Sequence, residues 1–129
     1  MSNQCLCGNE KAYEQCCGRF HLRHAYPKTP EQLMRSRFCA YAMGGLGQFL
    51  LDTWHPVTAL GLTSTGLSEL TYRWVRLEIL NKSQKGDNGT VEFNAFYLND
   101  NNNEDVLHEK SCFERIGGKW LYVSAENDH

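Results

Sequence analysis

Four cysteines packed into thirteen residues, Cys5, Cys7, Cys16 and Cys17, constrain this chain more than any other feature. Ionised thiolates so close together repel one another and free ones oxidise, so a quartet of this density points to a bound metal, zinc first. Cys5 and Cys7 flank one residue and precede Gly8, which suits a knuckle-like turn where two sulfurs converge. Asn9 reads as an N-cap and the segment through Cys16 as a two-turn helix that returns Cys16 and Cys17 to the knuckle, with Gly18 stopping it. Four sulfurs with no open position describe one structural zinc ion rather than a catalytic one. The alternatives are two disulfides or a redox-sensing thiol cluster. The residues before Cys5 have no basic start, apolar core or cleavage site, so the expected compartment is the reducing cytoplasm, which favours zinc. Adjacent cysteines such as Cys16 and Cys17 also rarely bridge each other, because the ring is strained.

The segment CLCGNEKAYEQCCG resembles the SEC-C motif, a short zinc module found at the C-terminus of the SecA translocation motor and attached to other bacterial proteins. The likeness runs from Cys5 to Gly18 and includes Lys11 and Tyr13. Three further blocks, TPEQLMRSRFCAYAMGGLGQFLLDTWHP, GTVEFNAFY and LHEKSCFERIGGKWLYV, resemble successive parts of the bacterial YchJ family, in the family's order. The resemblance implies a cone-shaped domain of the nuclear-transport-factor-like (NTF2-like) or cystatin-like kind. The pocket of that cone is an active site in some members and plain core in others. It also implies a docking role, since SEC-C modules of translocation motors dock a chaperone. Many relatives carry a second SEC-C module, whereas no cysteine follows Cys112 here, so a role needing two modules is not expected.

A chain of 129 residues accommodates a zinc module over residues 1–25 and one α+β domain over residues 29–129. Hydrophobic residues make up 41% and no apolar run approaches the length of a membrane span. The net charge of -2 argues against a broad nucleic-acid surface. Lys11, Arg19, Arg23, Arg35 and Arg37 are expected to form an ordinary solvated basic face, His21 and His24 to lie on the surface, and Cys39 and Cys112 to act as small buried hydrophobes.

Thr29 caps a helix with Pro30 at its first position, and Leu33, Met34, Arg37, Phe38, Tyr41 and Ala42 give it one buried face. Gly44, Gly45 and Gly47 break it; GQFLLDTWHP is a second helix ended by Pro56, and SELT a third short one. The remainder alternates as strands: YRWVRLEIL, a turn over KSQKGDNG, VEFNAFYL, a turn over NDNNNED, then VLHEKSCFERI and KWLYVSA around Gly117 and Gly118. Two or three helices packed on one face of a curved antiparallel sheet is the expected architecture.

Polar and aromatic candidates for the cone pocket are Arg35, Tyr41, Trp54, His55, Trp74, Glu92, His108 and Ser111, with Glu109 beside them. Glu92 and His108 are the pair suited to general acid–base work. No Gly-rich phosphate loop or HExxH is present, and the chain leans away from an enzyme. The leading expectation is a non-enzymatic adapter whose zinc knuckle docks a protein or ribonucleoprotein partner. The alternative is a small-ligand binder or enzyme working through the cone pocket.

Overall fold

In the computed structural model, which describes residues 4–8, 11–23, 25–69 and 72–126, the Cys5–Cys7 turn is closed by a bridge between Gln4 and Ala12, with the Cys5 N–H donating to Lys11 O at 2.9 Å. A 3₁₀ turn, Tyr13–Gln15, and helix α1, Cys17–His21, follow. Asn9 lies outside the described residues. Gly18 does not stop a helix. It sits inside α1, where a Cβ would stand 2.7 Å from Tyr13 O and 2.9 Å from the Tyr13 ring, so the glycine is there for close approach.

Helix α2, Pro30–Met43, starts as its sequence dictates: Thr29 Oγ1 accepts from the Gln32 N–H at 3.1 Å and Pro30 occupies the first turn. Its burial is two-sided rather than one-sided. Leu33, Met34 and Phe38 pack on Leu77, Val91, Phe93, Ala95, Phe113 and Trp120 of the sheet, forming the main core. Ser36, Cys39 and Ala40, also buried, belong to the side covered by the cysteine module, α1 and α3. The chain leaves α2 through Gly44, whose φ of 73° is open to glycine at little cost, and continues as α3, Gly47–Asp52. The next short helix, α4, covers Ser64–Ser68, where Thr63 Oγ1 accepts from the Gly66 N–H and sets the start; of the expected SELT helix, Glu69 is extended and Leu70 and Thr71 lie outside the described residues.

Four antiparallel strands follow in the order β1-β2-β3-β4: β1 Arg73–Lys85, β2 Asn88–Leu98, β3 Glu104–Ile116 and β4 Lys119–Ala125. The expected KSQKGDNG turn shrinks to Gly86-Asp87, because Ser83, Gln84 and Lys85 pair with Thr90, Gly89 and Asn88. The β3–β4 turn lies at Gly117 and Gly118, with φ of 59° and 81°, as a two-residue hairpin of the right twist requires. Val91, Phe93 and Ala95 face inward at 0–4% exposure, and Ser111 and Phe113 do the same on β3. Glu92, Asn94, His108 and Lys110 occupy the alternate, outer face. The molecule is therefore α+β, with helices on one face of a twisted meander. Among the described residues no helix is long and apolar enough to cross a membrane.

Candidate functional site

The four sulfurs of Cys5, Cys7, Cys16 and Cys17 come together, all within 4.8 Å of one another. Cys7 and Cys16 Sγ are 3.6 Å apart and Cys16 and Cys17 Sγ 4.0 Å apart. A tetrahedral zinc with sulfur bonds of about 2.3 Å needs sulfur–sulfur edges of about 3.8 Å, so the donor set fits such an ion in number, type and spacing. Cys5, Cys7, Cys16 and Cys17 are 5%, 0%, 3% and 1% exposed. The site is closed to water and substrate.

A fifth sulfur was not foreseen. Cys39 Sγ lies 3.3 Å from Cys5 Sγ, contributed by α2 some 34 residues away, so Cys39 is part of the cluster and not plain core. Hydrogen bonds from Cys17, Cys39 and Cys7 pull the Cys5 thiol down, while those with Cys39 and Cys5 push Cys17 up. Cys112 is half-buried on β3, away from the cluster.

The module is fastened to α2 by polar contacts as well. Arg35, held by Glu31 at 2.9 Å, donates to Cys7 O, so it serves the knuckle and not the cone pocket. His21 is only 7% exposed, contrary to a surface position. It donates from Nε2 to Ser36 O at 2.8 Å and its Nδ1 accepts from Tyr13 Oη at 2.6 Å. Burial pulls its pKa below the ordinary histidine value. His24 lies outside the described residues. The expected basic face is not assembled, since Arg35 is paired and Arg37 is 2% exposed.

A second feature is a cavity of about 250 Å³ between α2 and the sheet. Tyr41, Trp54, Trp74 and Ser111 line it, as do Arg37, Glu109 and Tyr122. Arg35, His55, Glu92 and His108 do not. His55 donates its backbone N–H to Tyr122 O and its ring lies toward Glu114. Glu92 and His108 form a pair at 2.7 Å on the outer sheet face, where strand alternation puts them, so they cannot act on anything in the cavity.

Arg37 follows the buried stripe of α2 and not a solvated face: its guanidinium lies between the Trp54 and Tyr122 rings, 4.8 Å from each centroid. It donates to Leu50 O at 2.8 Å and Thr53 Oγ1 at 2.7 Å. Burial lowers its pKa, opposed by Tyr41, Tyr122 and Glu109. Ser111 Oγ donates to Glu109 at 2.6 Å, and burial raises the pKa of both Tyr41 and Tyr122, which keeps the phenols neutral donors. The alternation that puts Glu109 and Ser111 on one strand face was visible in the sequence, as was the helical spacing that puts Arg37 in the buried stripe of α2; their meeting with Trp54 and Tyr122 was not.

A buried four-cysteine knuckle that could hold a metal, docked on a helix-covered antiparallel sheet, defines a small α+β protein of the NTF2-like kind. The profile of the YchJ middle NTF2-like domain matches residues 29–125. A UPF0225 protein of Streptomyces coelicolor is 42% identical over 125 residues, covering 95% of this chain and 94% of its own length. The chain belongs to the YchJ (UPF0225) family. A SEC-C motif containing protein from Rhodopseudomonas palustris, solved in solution, superposes with a TM-score of 0.88 at 31% identity, over 98% of this chain and 99% of that one. A second SEC-C motif containing protein, from Psychrobacter arcticus, shares the fold with a TM-score of 0.80 at 18% identity, over 100% of this chain and 85% of that one.

Proposed function

We propose that this protein is a non-enzymatic, zinc-containing interaction protein in which Cys5, Cys7, Cys16 and Cys17 hold one structural zinc ion and the knuckle is the docking element. The burial of all four sulfurs carries this reading. A closed four-thiolate site leaves no position for a reacting water, so its contribution is the surface it builds. A segment of about 25 residues buries too little to fold unaided, and a metal supplies that stability. Leu6, between two of the cysteines, is 47% exposed, and Leu22 and Tyr26 are 58% and 55% exposed, leaving apolar anchors outside the metal shell. Tyr26 and Arg23 also line a groove shared with Phe49 and Asp52 of the α3 region and Lys119 and Leu121 of β4. The partner this surface suits is a protein or ribonucleoprotein in the cytoplasm.

The test pairs elemental analysis with capture. The intact chain is expected to carry one zinc per molecule and Leu6→Glu the same, because Leu6 is half exposed and supplies no ligand. Partners retained by the intact chain are expected to be lost by Leu6→Glu. Absence of stoichiometric zinc overturns the metal assignment; an identical set of partners on both proteins overturns the docking role.

A further inference from the structure

Five buried thiols stand where a tetrahedral ion takes four. The fifth, Cys39, comes from α2, and its Sγ lies 3.3 Å from Cys5 Sγ. That contact is closer than Cys7 to Cys16 at 3.6 Å or Cys16 to Cys17 at 4.0 Å.

An odd number of neighbouring thiols restricts how they pair once oxidised. Cys16 and Cys17 are adjacent in sequence, and a ring joining them is strained. The two short contacts, Cys5 with Cys39 and Cys7 with Cys16, share no residue, so both bonds can form in one molecule. Reaching the ~2.05 Å of a disulfide takes about 1.3 Å of approach in the first pair and about 1.6 Å in the second. Cys17 also hydrogen-bonds Cys5 and Cys39, but with both short pairs joined it has no partner left. Access points the same way. Cys5 is 5% exposed, against 0%, 3%, 1% and 0% for Cys7, Cys16, Cys17 and Cys39, so an oxidant from solvent meets Cys5 first.

We propose that Cys39 is the resolving thiol of the cluster: a peroxide converts the module to a Cys5–Cys39 and a Cys7–Cys16 disulfide, frees the metal and leaves Cys17 as its single reduced thiol. The proposal rests on the metal reading above for what is freed, and on sulfur geometry for the pairing. Cys5 Sγ, a thiolate when it ligates the metal, attacks the peroxide O–O bond and becomes a sulfenic acid as hydroxide leaves. Cys39 Sγ attacks that sulfur; the S–S bond forms, the S–OH bond breaks, and the departing hydroxide takes the Cys39 proton as water. A second peroxide reacts at Cys7 and is resolved by Cys16, the hydroxides taking protons from solvent. Four sulfurs are oxidised while two peroxides are reduced to water. The Cys5–Cys39 bond spans 34 residues, from the knuckle to α2, so the oxidised module stays fastened to the cone without the ion.

The experiment treats the intact, metal-loaded protein with graded hydrogen peroxide, follows metal release with a chromogenic chelator, and maps the thiols by alkylation, trypsin digestion and tandem mass spectrometry. Metal content is measured before the oxidant is added. Oxidation is expected to release the ion and to give one assembly of three peptides, residues 1–11, 12–19 and 38–73, in which Cys17 alone carries the label. The oxidised wild type is expected to melt at least about 5 °C above the reduced, chelated protein, a difference absent in Cys39→Ser. Cys39→Ser is expected to keep one metal ion before oxidation; its loss overturns the proposal, because Cys39 is then a ligand. Cys39 found alkylated after metal release, or joined to any sulfur other than Cys5, overturns it too, as does release with the sulfurs carried to sulfinic acids. A wild type without metal at the start fails the metal assignment instead, and its peptide map still decides the role of Cys39. The wild-type map reaches that decision even where the variant fails to fold.

Discussion

Loss of a single cysteine ligand is expected to weaken the whole cone domain, and Cys16→Ser tests how tightly the module and cone are joined. If residues 1–25 and 29–129 were two independent units, the cone would melt unchanged. The packing says otherwise. Phe20, 4% exposed, sits among Ala40, Phe49 and Leu50, and His21 hydrogen-bonds Ser36 O inside α2. Burial of a phenylalanine stabilises by about 2 kcal/mol and a hydrogen bond by about 1 kcal/mol, so undocking α1 removes about 3 kcal/mol from the cone. For a chain of this size each kcal/mol moves the midpoint by about 4 °C, which gives a drop of about 12 °C. The assay is thermal melting by circular dichroism of the wild type, the wild type with a chelator, and Cys16→Ser. Phe20→Ala, which leaves every ligand in place, is expected to retain zinc and still lose most of the same stability. A Cys16→Ser midpoint within about 1 °C of wild type, despite loss of metal, would refute the coupling.

His21 gives a pH dependence of fixed sign. Its folded pKa is depressed by burial, so the unfolded chain takes up the proton first as pH falls. Its stabilising contribution is whole above about pH 6.5 and is lost as the pH drops toward the folded pKa; urea melts at pH 7.5, 6.5 and 5.5 should show a decline that His21→Gln flattens. Phe113→Ala, at a site 2% exposed in the main core, should cost about 3 to 5 kcal/mol by urea denaturation, and a loss below 1 kcal/mol would contradict the packing. Gly47→Ala places a Cβ 1.8 Å from Ser64 O, so α3 and α4 must separate, and low expression or a midpoint lowered by several degrees is the expected reading. Glu92→Gln on the outer face should change stability by less than about 1 kcal/mol by urea denaturation.

Local chemistry is what the sequence by itself determined. The cysteine spacing drew the four sulfurs together within one short segment, Thr29-Pro30 opened α2, Gly117-Gly118 turned the β3–β4 hairpin, and alternation separated Phe93 from Glu92 and Ser111 from His108. The first three depend on neighbours within a few residues, and alternation likewise splits each strand into two faces; which face is inward, and hence that Glu92 and His108 leave the pocket where they were expected, was decided by the packing of α2 on the sheet. Contacts across the chain were beyond that reach. Only the docking of the module on α2 turned Cys39 into a fifth sulfur, buried His21 and gave α2 two covered faces, because a helical pattern shows which residues are apolar but not how many partners will cover them. The cavity has the same origin. Arg37, Trp54, Glu109 and Tyr122 come from α2, the segment after α3, β3 and β4, and a cation, a carboxylate and two rings far apart in sequence acquire a shared chemistry only when the sheet folds beneath the helix.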